Sequence, residues 1–342
     1  MFDLFKKKKD LQEKAPREMF PLSFRLGICD GKETYCDLSK MPHLLVAGKK
    51  EEKHGFLNAT LLSFAHDYTE EALQLLLLDS VDGGLSQFAS LPQLLVPVED
   101  DVKKQLSHLS WMLIEMKRRY TVFQEAGVRN FNEYNNVIPA EVMPRIVIVV
   151  NELAEMTAFS LAEAEESLCR LAQMGRAAGI HLILATAHPA PFVVTGILKA
   201  NLPSRIAFAL QNGEESRAVL DVGGAEKLGE GEMLYLPLGA AKPMRVITCP
   251  ATDEDVANSL DFLKKKKEKP EVDPLLAKAI LLGLERGELS TSLLQRKLEI
   301  GYARAARILD LLEEMKAVEP YCGAKPRKVL WTGADFEAYK AY

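Results

Sequence analysis

The sequence predicts an α/β domain with a mainly parallel sheet, followed by a small winged helix-turn-helix domain. Continuous apolar runs without polar alternation recur at 44–47, 73–78, 146–150 and 182–186. Strands buried on both faces read this way, and a parallel sheet is where such strands occur. Helical periodicity separates the runs, which is the alternation that winds a parallel sheet. From residue 273 the pattern changes to three short helices and a stretch punctuated by Gly323 and Pro326, the order of a winged helix-turn-helix.

Taken in order, residues 20–40 read as short strands around a turn at Asp30-Gly31. The run 44–47 ends at Gly48, a polar loop follows, and helical spacing resumes over 56–66. The run 73–78 ends at Asp79 and is broken at Asp82-Gly83-Gly84, and 94–98 reads as a further short strand. Residues 100–126 form a long helix with Leu106, Leu109, Leu113, Met116 and Tyr120 on its apolar stripe. Lys117, Arg118 and Arg119 fall near its C-terminal half, where cations suit the helix dipole. The Asn-rich stretch 131–139 is a loop by composition. Strand 146–150 ends in Asn151-Glu152, a helix covers 160–178, and 206–210 and 214–221 read as strand and helix. Strands 233–236 and 244–248 close the sheet around Gly239. Asp273 caps a helix beginning at Pro274, Gly287 ends it, Ser290 caps a second, 302–315 is a third, and 317–330 is a two-stranded wing. The organisation predicted is a peripheral segment 1–22, an α/β domain 23–262, a charged linker 263–272, a winged-helix domain 273–332 and a tail 333–342.

Composition narrows the function classes. Hydrophobic residues make up 48% and charged residues 27%, an ordinary globular balance. A net charge of −5 excludes a globally basic nucleic-acid binder, so any DNA-binding surface is local. Five scattered cysteines without C-x-x-C spacing point to reduced thiols rather than a zinc site or disulfide framework. No apolar stretch reaches the roughly 18–20 residues of a membrane span, and the N-terminus lacks the apolar core of a signal peptide. A cytoplasmic location and no membrane partner are expected.

The strand–loop–helix at 44–58 has the frame of a phosphate-binding P-loop. Its chemistry differs. Glycines that let backbone N–H groups turn inward are absent between Gly48 and Gly55, and Glu51 and Glu52 stand where phosphate charge would sit. Read alone, Lys49, Lys50 and Lys53 belong to an exposed loop whose charges compensate one another, with a phosphate held without magnesium as the alternative. Gly48, Asp79, Asn151 and Thr186 all end strands, which is where α/β sheets bind ligands.

Several segments in order resemble the FtsK/SpoIIIE-type DNA translocases. They include MPHLLVAG at 41–48 with Asn58-Ala59, Glu115-Met-Lys-Arg-Arg-Tyr120, Gly127-Val-Arg-Asn130 and Tyr134-Asn135. The longest block runs from Arg170-Leu-Ala-Gln through Arg176-Ala-Ala-Gly-Ile-His-Leu-Ile-Leu-Ala-Thr186, then Thr195 to Asn201 and Arg205-Ile-Ala-Phe208. Ile300-Gly-Tyr-Ala-Arg-Ala-Ala-Arg-Ile308 resembles the family's C-terminal γ domain, a winged helix that reads DNA. The resemblance covers about residues 23–332. It implies a RecA-like, P-loop-type ATPase domain that assembles as a hexameric ring on double-stranded DNA.

The departures from the family pattern fall on the nucleotide site. The family loop reads G-T-T-G-S-G-K-S; here it is one residue short. Gly48 opens it, Lys53 takes the place of the phosphate lysine and His54 that of the magnesium-binding Ser. The family's acidic pair is Asn151-Glu152, and Ala187 and His188 replace a Gln and an Arg. Arg176 matches an arginine presented to a neighbouring subunit's nucleotide. Losing the hydroxyl, one acid and the glycines together removes the metal and the donor cradle that phosphoryl transfer needs. The main expectation is therefore a DNA-binding scaffold or non-catalytic ring subunit with no cofactor or metal, in which Glu152 and Arg176 are relics. The alternatives are an active translocase using ATP and magnesium through an atypical loop, and a winged-helix regulatory or assembly protein that oligomerises through its α/β domain. A ring shared with active homologues is a further possibility for the first of these.

In the γ-like region, Tyr302, Arg304 and Arg307 lie on the helix that would enter the major groove. Gln295, Arg296 and Lys297 precede it, and Lys325, Arg327 and Lys328 lie in the wing. A family Asn is Ala303 here, which puts the family's target sequence in question. Pairing of Arg304 and Arg307 with Asp310, Glu313 or Glu314 is the structural alternative.

Overall fold

The computed structural model describes residues 22–80, 83–138, 142–268, 275–320 and 326–340. The chain divides into two compact units, Met1–Leu263 and Lys264–Tyr342.

The first unit is built on a nine-stranded mixed sheet in the order β2-β1-β9-β8-β7-β3-β6-β5-β4. β1 (Ser23–Cys29) and β2 (Lys32–Asp37) form a hairpin. Its turn is Asp30-Gly31, with φ of 47° and 74°, the left-handed pair that a two-residue turn requires. β3 (His43–Ala47), β4 (Leu73–Leu78), β5 (Arg145–Val150), β6 (Ile180–Thr186) and β7 (Ser204–Ala207) run parallel. β8 (Glu232–Leu236) and β9 (Met244–Thr248) join them to the hairpin in antiparallel pairing.

Side chains alternate across a strand, so β3 feeds two cores. Leu45 and Ala47 belong to one, which includes Leu106, Leu109 and Met116 of α2 (Val102–Glu125) and Leu168 and Leu171 of α4 (Leu153–Ala178). Leu44 and Val46 belong to the other, with Phe56, Leu61 and Phe64 of α1 (Lys50–Asp67). The remaining helices of this unit are α3 (Phe131–Val137), α5 (Gly196–Asn201), α6 (Gly213–Leu220) and α7 (Asp253–Glu268).

Several segments differ from the sequence reading. Residues 131–137 are helical because Asn130 caps them, its Oδ1 accepting from the N–H groups of Asn132 and Glu133. Residues 94–98 form no strand of their own and touch β4 at isolated bridges, Leu75 with Leu94 and Leu78 with Glu99. Arg119 does not serve the helix dipole: it is buried, with Nη1 donating to Ala178 O at 2.9 Å and Nε to Glu115 at 2.9 Å. The lysine run at 264–267 continues α7, since Lys is a good helix former and nothing breaks the helix before 268.

In the second unit, α8 (Leu276–Arg286), α9 (Thr291–Leu298) and α10 (Tyr302–Glu314) pack Ile280, Leu294, Ile308 and Leu312 into one core. Gly287 ends α8 at φ 75°. β10 (Glu288–Leu289) pairs with β11 (Arg327–Lys328), and Val318 bridges Val329. Residues 333–340 are not a tail. They form α11 (Gly333–Lys340), and Phe336 sits in the core. The proposed cap Asp273, Pro274 and the N-terminal 21 residues lie outside the described residues.

Candidate functional site

Where a loop was expected, the chain makes a helix. β3 stops at Ala47, Gly48 N–H bonds Thr186 O at 3.2 Å, and α1 begins at Lys50. A Cβ at Gly48 would lie 2.5 Å from Phe208 Cβ, so glycine is required here. Lys53 N–H bonds Lys49 O at 3.0 Å, closing a helical turn through the stretch that a P-loop keeps open. Glu51 and Glu52 occupy the first turn, where their charge complements the helix dipole.

Lys53 is buried, not part of an exposed loop. Its Nζ donates to Asn151 O at 2.7 Å and to Glu152 Oε2 at 2.9 Å. Glu152 caps α4: its Oε1 accepts from Ala154 N–H at 3.2 Å and from Thr186 Oγ1 at 2.6 Å, and its Oε2 also accepts from Ala187 N–H at 2.9 Å. Burial works to raise the Glu152 pKa. The charge and hydrogen bond of Lys53, with Thr186 and Ala187, outweigh it and hold the carboxyl below the usual carboxylate range.

Asn151 is equally engaged. Its Nδ2 donates to Asp79 Oδ1 at 2.6 Å and to Gly83 O at 3.0 Å. Asp79 in turn accepts from the N–H groups of Ser80 and Leu85. A Cβ at Gly83 would lie 1.7 Å from Asp79 Oδ1, so the chain passes over this pair only as glycine. Asn151 Oδ1 is buried and has no hydrogen-bond partner among the described residues.

His54, at the position of the family's magnesium-binding Ser, joins a different cluster. Its Nε2 lies 2.6 Å from Asp253 Oδ1, which also accepts from Asn58 Nδ2 and Gln87 Nε2. Hydrogen bonds from His54 and Asn58 hold Asp253 below its ordinary range. Asp79, Gln87, Thr186 and Asp253 complete these clusters through tertiary contacts. Asp79 and Thr186 had a sequence signal as strand ends; Gln87 and Asp253 had none.

Lys53, His54, Asn151, Glu152 and His188 line a cleft of about 450 Å³ at the carboxyl ends of β3, β5 and β6. Gly48 sits at the first of these strand ends. Arg176 is not in the cleft. It is exposed in the last turn of α4, beyond the break at Ser160 (φ −155°, ψ 92°) that separates this turn from the segment Glu152 caps. Among the described residues no group of three His, Cys, Asp or Glu side chains gathers to hold a metal, and no helix is long and apolar enough to cross a membrane.

In the second unit, Tyr302, Arg304 and Arg307 of α10 are exposed, as are Arg296 and Lys297 of α9 and Lys328 of β11, while Gln295 is half-buried. Arg327 departs from the expected wing contact. It is buried, donating to Leu309 O at 3.2 Å, Glu313 Oε2 at 2.6 Å and Asp310 Oδ1 at 3.2 Å. Asp310 and Glu313 thus pair across to β11, which the one-helix spacing could not reveal. Lys325 lies outside the described residues.

A sheet with a parallel half, a strand-to-helix junction at its carboxyl edge and an acid-capped helix beside it define a RecA-like P-loop-type domain, here followed by a winged-helix-like domain. The FtsK/SpoIIIE family model matches residues 4–191, and the Ftsk gamma domain model matches 270–332. The chain belongs to the FtsK/SpoIIIE family. The DNA translocase FtsK of Caldanaerobacter subterraneus subsp. tengcongensis is 43% identical over 319 residues, 88% of this chain and 45% of the relative. That of Clostridium tetani is 42% identical over 341 residues, 92% and 46%. The chain therefore spans less than half the length of these relatives. Among solved structures, the pCW3 conjugation coupling protein TcpA, in monomer form with ATPγS, superposes with a TM-score of 0.62 at 24% identity, over 71% of this chain and 70% of that one. The cytoplasmic domain of the Thermomonospora curvata Type VII secretion ATPase EccC gives 0.61 at 21%, over 72% and 32%. These two likenesses are of fold.

Proposed function

We propose that this chain is a DNA-binding member of the FtsK/SpoIIIE family that does not hydrolyse ATP. It acts on double-stranded DNA as a scaffold or as a non-catalytic subunit of a ring. The observation that carries this reading is the buried pair of Lys53 and Glu152, in which the lysine at the place of the family's phosphate lysine neutralises the one acid kept from the family's acidic pair. A magnesium triphosphate asks for a hydroxyl and a carboxylate on the metal and a cradle of N–H groups on the phosphates. Here those positions hold His54, Asn151 and a closed helical turn, so the residues do not fit that ligand. A second reading is an ATP-driven translocase with an atypical loop. The name DNA translocase carried by the relatives favours it, as does the retention of Lys53 and Glu152 themselves. Under that reading ATP and magnesium are required.

DNA binding is assigned to the exposed residues of α9 and α10, with Arg296, Tyr302, Arg304 and Arg307 facing solvent. The test is retardation of duplex DNA across a salt series. Arg307→Ala is expected to weaken binding to all sequences alike and to reduce the salt slope by about one. Arg327→Ala is expected to act differently. It removes the ion pairs of the buried guanidinium with Asp310 and Glu313 and its bond to Leu309 O, and lowers the thermal stability of the second unit before it changes the slope. Equal slopes for Arg307→Ala and the parent chain would remove α10 from the DNA surface.

A further inference from the structure

A strap crosses α1 beside the nucleotide cleft. It runs from Pro250 to Asp253 and feeds directly into α7. A Cβ at Gly55 would lie 2.8 Å from Pro250 Cβ, so the strap sits this close only because α1 carries glycine there. Ala251 N–H bonds Gly55 O at 3.0 Å, and Asn58 Nδ2 donates to Ala251 O at 3.3 Å. The strap ends at a lock. Asp253 Oδ1 takes His54 Nε2 at 2.6 Å and Asn58 Nδ2 at 3.1 Å from α1, and Gln87 Nε2 at 3.2 Å from the 3₁₀ turn Leu85–Phe88. Gln87 Nε2 also bonds Asn58 Oδ1 at 3.0 Å, which ties the two elements together behind the carboxylate. His54 lines the cleft as well, so one imidazole serves both the cleft wall and the lock.

α7 depends on that lock because little else holds it. Among its described side chains only Val256 and Leu260 are buried, with Leu263 partly covered beside them. Most of the other described positions on the helix are exposed. Its first turn is closed without help from α1: Asp255 N–H bonds Thr252 Oγ1 at 3.1 Å, and Asp255 Oδ2 accepts from Thr252 N–H at 3.0 Å. The Asp253 side chain is 72% exposed, so water competes with its three donors and the lock opens reversibly. Elements with few buried apolar contacts and solvent-facing hydrogen bonds are the ones that open locally while the rest of a fold stays closed. The boundary between the two compact units falls inside α7, between Leu263 and Lys264, so this helix carries the chain out of the first unit.

We propose that α7 is a detachable arm: opening of the Asp253 lock frees it from the first unit and lengthens the tether of the second. Released, the 16-residue helix is an arm of about 24 Å, which widens the volume open to the second unit. Hydrogen exchange of the full chain, without DNA or nucleotide, tests the lock. Asp253→Ala is expected to speed exchange at Ala251 and Val256–Leu263 by about tenfold or more, the scale of lost charge-assisted hydrogen bonds, while β3 and β5 keep their protection. Gln87→Ala removes one donor without touching α7 and should give a smaller rise in the same amides. Small-angle scattering tests the arm: the radius of gyration of Asp253→Ala should exceed that of the parent chain. Unchanged exchange over 251–263 in Asp253→Ala overturns the proposal. So does exchange that rises as much in β3 and β5, which would make the cluster a support of the whole unit. Faster local exchange with an unchanged radius of gyration would mean that α7 loosens in place, and overturns the arm as well. Both measurements are made without DNA, so a failure of DNA binding leaves them unaffected.

Discussion

Lys53→Met is expected to lower the unfolding free energy of the first unit by about 3–5 kcal/mol at neutral pH, the loss seen when one partner of a buried ion pair is removed. The side chains of Lys53 and Glu152 are 5% and 10% exposed, so the stranded carboxylate has little water to turn to. Denaturant unfolding in a Trp331→Phe background, where Trp111 alone reports on the first unit, measures it. The pH dependence identifies the cause. In the parent chain Glu152 is held below the usual carboxylate range. The stability it contributes is therefore full above that range and lost as pH falls through its folded value. In Lys53→Met burial remains without the compensating charge, so the folded pKa rises and stability falls as pH climbs through it. The deficit should be widest near neutrality and close in acid. Lys53→Met combined with Glu152→Gln should recover most of it. An unchanged stability in Lys53→Met would mean that the lysine is free for a ligand after all.

Asn151→Asp is the second large effect, about 2–4 kcal/mol at neutral pH from two lost donors and a second buried carboxylate. It replaces the amide that donates to Asp79 Oδ1 and Gly83 O with an acceptor. Two facing carboxylates share a proton, so one folded pKa rises. That contribution is present below the ordinary carboxylate range and lost as pH rises through the folded value, so acid should rescue this variant too. Exchanging the roles, Asp79→Asn with Asn151→Asp, should restore the bond between the two side chains but only part of the stability, since the new amide nitrogen cannot accept from Ser80 N–H and the new carboxylate cannot donate to Gly83 O.

Much of the fold was legible because strands buried on both faces leave an unmistakable apolar run. Residues 73–78 and 146–150 became β4 and β5 at the expected places. The phosphate-loop frame was legible for the same reason. What that loop does was not. Lys and Glu are good helix formers, and without internal glycines nothing holds 50–54 out of α1. That signal was present in the sequence and read as a charged loop. The engagement of Lys53 with Glu152 and of His54 with Asp253 depends on pairs about a hundred and two hundred positions apart in sequence, and no local spacing encodes it. Arg327 makes the same point in reverse. A basic residue in a wing reads as a DNA contact until the tertiary fold turns it onto Asp310 and Glu313.

The central claim, that this member of the family does not hydrolyse ATP, is tested most directly by steady-state phosphate release from the purified full chain with ATP, magnesium and duplex DNA. No turnover above a protein-free control is expected, together with DNA retardation that weakens as salt rises. Turnover that requires DNA and disappears in Lys53→Ala would contradict the claim and make the chain an active translocase with an unusual phosphate loop.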